Sequence, residues 1–205
     1  MSLEGAPEIV GNNFNCSYNK LTNLEGSPKS VGGHFFCNSN QLKSLEGVSK
    51  SVGGDFECYY NQLTNLVGAP RSLGGGFYCS NNQLTSLEGA PKSVGDSFSC
   101  NYNQLSSLEG SPKSIVSDFF CTDNQLKSLE GAPESVGGSL YCGNNLIDNI
   151  WGLFRDKSKI ELFNDYDIIR EINGEPAIVI YRLNDFLEEI GEDTVESVDG
   201  YINID

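Results

Sequence analysis

The chain has 205 residues, 38% of them hydrophobic, and its 28 acids against 13 bases give a net charge of −15. That balance disfavours binding nucleic acid through phosphates, which needs clustered Lys and Arg, and the modest apolar content suits a thin stack better than a large closed core. No run of about eighteen apolar residues exists to span a membrane, and the start, Met1-Ser2-Leu3-Glu4-Gly5, lacks the charged and apolar regions of a secretory signal, so a cytoplasmic protein is expected.

From residue 3 onward the chain repeats. Cys16, Cys37, Cys58, Cys79, Cys100, Cys121 and Cys142 fall 21 residues apart and are all the cysteines it has. Asn19 to Asn145 keep the same spacing, as do Leu21 to Leu126 with Ile147, and Phe14 to Phe119 with Leu140. A unit copied this strictly needs a stacking architecture. Each cysteine occupies a phase where a small buried apolar side chain would serve, so free structural thiols are expected rather than disulfides. Zinc is disfavoured, because no C-x-x-C pair occurs and His34 is the only histidine.

Within one coil, Phe77-x-Cys79 alternates inward and outward as a short strand. Asn82, Leu84 and Leu87 follow, with the Asn turned inward onto backbone groups of the adjacent coil. Gly at 5, 26, 47, 68, 89, 110 and 131, with Pro at 7, 28, 70, 91, 112 and 133, argues against a helix on the return path. Extended polyproline-like backbone or a single 3₁₀ turn is expected there. The column Val10, Val31, Val52, Leu73, Val94, Ile115 and Val136 then points back into the core. Two constant columns, Glu4 to Glu130 and Lys29 to Lys113, read as a solvated ladder with modest mutual pairing.

The pattern F-x-C-x-x-N-x-L-x-x-L resembles the core of a leucine-rich repeat. The fuller wording L-E-G-A-P-K-S-V-G-G-x-F-x-C-x-x-N-Q-L is similar to leucine-rich-repeat proteins of tailed bacteriophages and, more distantly, to the short repeats of secreted bacterial effectors. The likeness covers residues 3–149. It implies a leucine-rich-repeat solenoid: seven 21-residue coils, a parallel β-sheet on the concave face, an irregular convex side and a small α+β C-terminal cap. The unit is one residue longer than the effectors' and carries Gly-Gly before the strand, so their curvature does not transfer.

Function is sought where the copies differ. The outward positions around the strand hold all six tyrosines of the repeats, with two further phenylalanines. Phe36, Asp55, Glu57, Tyr59, Tyr60, Tyr78, Tyr102, Asp118, Phe120 and Tyr141 are the expected partner-binding residues of this face. Exposed aromatic groups on a rigid sheet provide contact area at low entropic cost, and the carboxylates select a protein with a basic surface. The expected function is recognition, with inhibition or sequestration of a protein partner. The phage resemblance implies a host target and a counter-defence or host-takeover role in the host cytoplasm. Two alternatives stand beside it: a structural or adhesive part of a virion, and an acidic mimic of nucleic acid. An enzyme is not expected, since no nucleophile–base pair, metal set or phosphate loop is visible; no cofactor is expected either. Cys121-Thr122-Asp123 and Gly53-Gly54-Asp55-Phe56 look like catalytic signatures of other families but are ordinary copies of the repeat.

Periodicity fails near Ile150. Residues 1–149 form the array (14 acids, 8 bases) and 150–205 an acidic C-terminal unit (14 acids, 5 bases). There Asp167–Ile172 and Ala177–Tyr181 read as strands joined at Asn173-Gly174. A short helix, 185–190, is expected to start at Asn184 and stop at Gly191, and Tyr201-Ile202 to add an edge strand. The first coil has no matching cap, so its strand edge around Phe14 is expected to pair with a second copy or a partner.

Overall fold

The structure is a computed structural model and describes residues 2–127, 129–145, 166, 168–173, 175–198 and 201–204. Residues 3–145 form a parallel β-solenoid with a repeat of 21 residues. Its main sheet has seven two-residue strands: Phe14–Asn15, Phe35–Phe36, Phe56–Glu57, Phe77–Tyr78, Phe98–Ser99, Phe119–Phe120 and Leu140–Tyr141. All pair in parallel, each residue against its equivalent 21 positions on.

The invariant columns face inward, as the period predicts. Phe35, Phe56, Phe77, Phe98 and Phe119 are fully buried, and their successive rings lie 5.3 to 5.8 Å apart. All seven cysteines are free and buried. The Cys79 thiol donates to the Ser99 carbonyl of the next coil at 3.2 Å. Burial pushes the thiols up: Cys16 to about 11, and Cys37, Cys58, Cys79, Cys100 and Cys121 well above the ordinary range. These are packing groups, not nucleophiles.

The asparagines carry the polar accounting. Asn82 Nδ2 donates to the Cys58 carbonyl one coil back and to Cys79 in its own coil, both at 3.0 Å. Its Oδ1 accepts the Leu63 N–H at 3.0 Å. One side chain thus satisfies three backbone groups that the turn leaves without strand partners. Asn40, Asn61, Asn103, Asn124 and Asn145 repeat this arrangement.

The return path is irregular and non-helical, as expected. Among the described residues it has no 3₁₀ turn; it begins with a tight turn and adds a second set of short strands. In Leu45-Glu46-Gly47-Val48 the Val48 N–H donates to the Leu45 carbonyl at 3.2 Å, and Gly47 has φ +87°. A positive φ at the third residue with an i to i+3 bond defines a type II turn, which requires glycine there. Next come Ile9–Val10, Ser30–Val31, Ser51–Val52 and Ser72–Leu73 in one parallel sheet, then Ser93–Val94, Ser114–Ile115 and Ser135–Val136 in another. The Val31 column points inward as expected. Two ion pairs lie within the Lys29-to-Lys113 column: Lys29–Glu8 at 2.7 Å and Lys113–Glu134 at 2.6 Å, all four side chains exposed.

In the C-terminal unit Ile169–Ile172 and Glu175–Val179 pair antiparallel, with Asn173 at φ +56° between them, and Ile202–Ile204 adds a parallel edge strand. The helix runs Ile180–Ile190 and stops at Gly191 in the left-handed region. It starts five residues earlier than expected, without a side-chain cap, because the strand leads directly into it. Tyr181 is therefore helical. Asn184 is inside the helix and holds the following segment instead, exchanging two 2.9 Å bonds with the Val195 backbone. The end of the repeat near Ile150 and the Trp151-Gly152-Leu153-Phe154 echo lie outside the described residues. No helix among the described residues is long and apolar enough to cross a membrane.

Candidate functional site: the outer face of the main sheet

The strand alternates, so Phe and Cys point in while the residue between them points out. That outward column reads Asn15, Phe36, Glu57, Tyr78, Ser99, Phe120 and Tyr141. It forms two aromatic groups, divided at the buried Ser99, whose hydroxyl shares a 2.7 Å bond with Ser80.

The first group spans coils two to four. Phe36 stacks on His34, centroids 5.7 Å apart at 18°. Glu57 is half-buried. Burial raises its carboxyl above the usual range and the charge on Asp55 adds to this, against the opposing effect of the Tyr59 hydroxyl bonded to it. Tyr59 and Tyr78 are both raised, chiefly by burial; Asp55, Asp96 and Glu57 add to the effect on Tyr78. The Tyr78 ring folds back over Gly76, where a Cβ would meet its hydroxyl oxygen at 2.5 Å. Only glycine leaves room for that pose. The second group is the pair Phe120 and Tyr141, stacked at 4.7 Å and 4°.

The two aspartates of the expected site have another role. Asp55 Oδ1 accepts the Gly76 N–H at 2.7 Å, and Asp118 Oδ1 accepts the Ser139 N–H at 2.8 Å. Asn13 does the same for His34 at 2.9 Å, His34 Nδ1 for Asp55 at 3.0 Å, and Ser97 for Asp118 at 3.3 Å. This column is a second ladder of backbone acceptors, and its chemical variety conceals one function. His34 Nδ1 also lies 3.0 Å from Asp55 Oδ2. A nitrogen accepting the Asp55 N–H cannot donate to that carboxylate, so we assign the backbone bond. The signal was in the sequence: every residue of the column is an acceptor or glycine.

Tyr60 and Tyr102 sit off the sheet. With Tyr18 they occupy a left-handed turn position, φ 52° to 54°, two residues beyond the inward cysteine. Alternation places that column on the strand face, but the strand ends before it. The chain matches no protein-family model, no curated protein and no solved structure. The functional reading therefore rests on these side chains alone. Among the described residues no group of His, Cys, Asp and Glu could hold a metal ion.

Proposed function

We propose that the chain is a protein-recognition scaffold whose main sheet face takes a basic surface of a protein partner and thereby inhibits or sequesters it. The observation that carries this reading is the sheet register, which sets Glu57 between Phe36 and Tyr78, with the Tyr59 hydroxyl bonded to Glu57 and the charges of Asp55 and Asp96 acting on Tyr78. Carboxylates set among aromatic faces favour Arg and Lys, through ion pairing and through attraction of the cation to the rings. A sheet held by two ladders is pre-organised, so little ordering is lost on binding. The reading involves no catalytic step and no cofactor. It belongs in the cytoplasm, and in that of a host if the repeat's phage-like wording reflects its origin, where it would serve counter-defence or takeover.

The test is calorimetric titration with an Arg-rich peptide and an acidic peptide of equal length. Binding of the first alone, weakened about tenfold or more by the combined Tyr59→Ala and Tyr78→Ala changes, is the expected result. It should weaken further with salt. Equal binding of both peptides, or no effect of the variant, would remove the reading.

A further inference from the structure

The left-handed turn position after each strand holds Tyr18, Ser39, Tyr60, Asn81, Tyr102, Asp123 and Asn144, all with φ 52° to 55°. Asn and Asp tolerate that conformation, whereas a bulky side chain there is an outlier. Three coils nevertheless use tyrosine, and they alternate with coils that use small polar residues. The three rings stay outside: Tyr18 is 79% exposed, Tyr60 58% and Tyr102 56%. Burial does not compensate for the strained backbone, so the tyrosines call for another explanation.

Their spacing suggests one. Coils stack in register, so tyrosines two coils apart are separated by about 10 Å, twice the strand spacing. The surroundings narrow the chemistry. Across coils two to five the four residues after each cysteine are Asn38 to Gln41, Tyr59 to Gln62, Ser80 to Gln83 and Asn101 to Gln104, with no charged side chain among them. Those four coils carry no charge in this strip, in a chain of net charge −15; coil one, which holds Tyr18, has Lys20 at the glutamine position. The side-chain amides of Gln41, Gln62, Gln83 and Gln104 make no hydrogen bond among the described residues.

We propose that this ledge is a second binding site, bordering the acidic sheet face where Tyr60 packs on Tyr59, and that it takes a neutral, extended, β-linked hexose chain. Such a chain repeats every two sugar rings, a length close to two coil spacings. Alternate rings therefore present the same apolar face to successive tyrosines. The ring hydroxyls need neutral donors and acceptors, which the glutamine amides supply. A basic protein segment would find its counter-charge at Glu57 on the adjoining sheet face rather than among the ledge's own side chains in coils two to five. A proline-rich segment, whose period of three residues is about 9.3 Å, matches the tyrosine spacing but leaves the amides mostly unused. An adhesive role would follow from this site.

The test is titration of the full chain with cellohexaose, chitohexaose, maltohexaose as the helical α-linked control, and a decaproline peptide. The variant replaces all three tyrosines with asparagine (Tyr18→Asn, Tyr60→Asn, Tyr102→Asn), the residue coils four and seven already use there. Its unfolding midpoint should rise by roughly a few degrees, since asparagine relieves the backbone strain, so lost binding cannot be ascribed to misfolding. The expected result is binding of at least one β-linked hexaose, none of maltohexaose, and a loss of about a hundredfold or more in the variant. Binding of decaproline in preference to both β-linked sugars, equal binding of maltohexaose, no sugar binding at all, or a variant that binds as well as the parent would each overturn it. The Arg-rich peptide serves as a control on Tyr102→Asn alone, because the Tyr60 ring lies edge-on against Tyr59 of the sheet face at 5.7 Å and its replacement touches both sites.

Discussion

Raising the pH from 8 to 10 in the presence of reductant is expected to unfold the array. In the unfolded chain a thiol ionises near pH 8.5, whereas burial holds the native thiols protonated far beyond that. The folded-state value is the raised one, so this contribution to stability is complete below about pH 8.5 and lost as the pH climbs. Each such thiol removes about 1.4 kcal/mol per pH unit once the unfolded form is fully ionised. Cys37, Cys58, Cys79, Cys100 and Cys121 together remove on the order of 7 kcal/mol per unit, comparable with the total stability of a typical domain. Guanidinium unfolding at half-unit pH steps measures the slope. Cys79→Ala should lower it by one thiol's share, which separates cysteine from tyrosine and lysine titration. A stability that stays level between pH 8 and 10 would show that the sulfur column is not sealed from water.

Asn82→Ala is expected to be the most damaging single change to the polar framework. It leaves the Leu63 N–H without its partner and removes one of the two bonds to each of the Cys58 and Cys79 carbonyls, which keep those from Asn61 and Asn103, at a side chain only 9% exposed. A buried polar group left unsatisfied costs about 1–3 kcal/mol, and two weakened carbonyl bonds add to it, so a loss on the order of 2–3 kcal/mol is expected. Asn19 provides the comparison. It is exposed and donates to the Cys16 and Ser17 carbonyls, but its Oδ1 accepts no N–H among the described residues. Asn19→Ala should cost under about 1 kcal/mol by the same reasoning. Equal losses in equilibrium denaturation would contradict the ladder as the source of the effect.

The inward columns were legible because burial tolerates few residue types. Phe77, Cys79, Asn82 and Leu84 could be assigned from spacing alone, and the asparagine's role followed from its placement where strand becomes turn. The return path was harder. Gly47 and its equivalents argue against helix, but propensity alone does not separate that from their other property, the ease of positive φ that a type II turn needs. The Ser51–Val52 strand was missed because two residues are too few to show a period. At the candidate site, Asp55 and Asp118 looked like variation on a free surface. The acceptor shared by Asn, His, Asp and Ser appears only once a backbone N–H is seen opposite each one. Tyr60 and Tyr102 were placed on the sheet because alternation was carried past the strand's end. In the C-terminal unit Asn184 looked like a cap, although the buried positions Ile180, Leu183, Phe186 and Leu187 already marked a helix beginning four residues before it.

The asparagine relay runs one way along the chain: each loop is finished by a side chain that arrives 19 residues later, as Asn82 finishes Leu63. During synthesis, the newest loop is therefore always incomplete until the next one leaves the ribosome. Assembly should then proceed vectorially, with a single unfinished rung travelling down the nascent polypeptide.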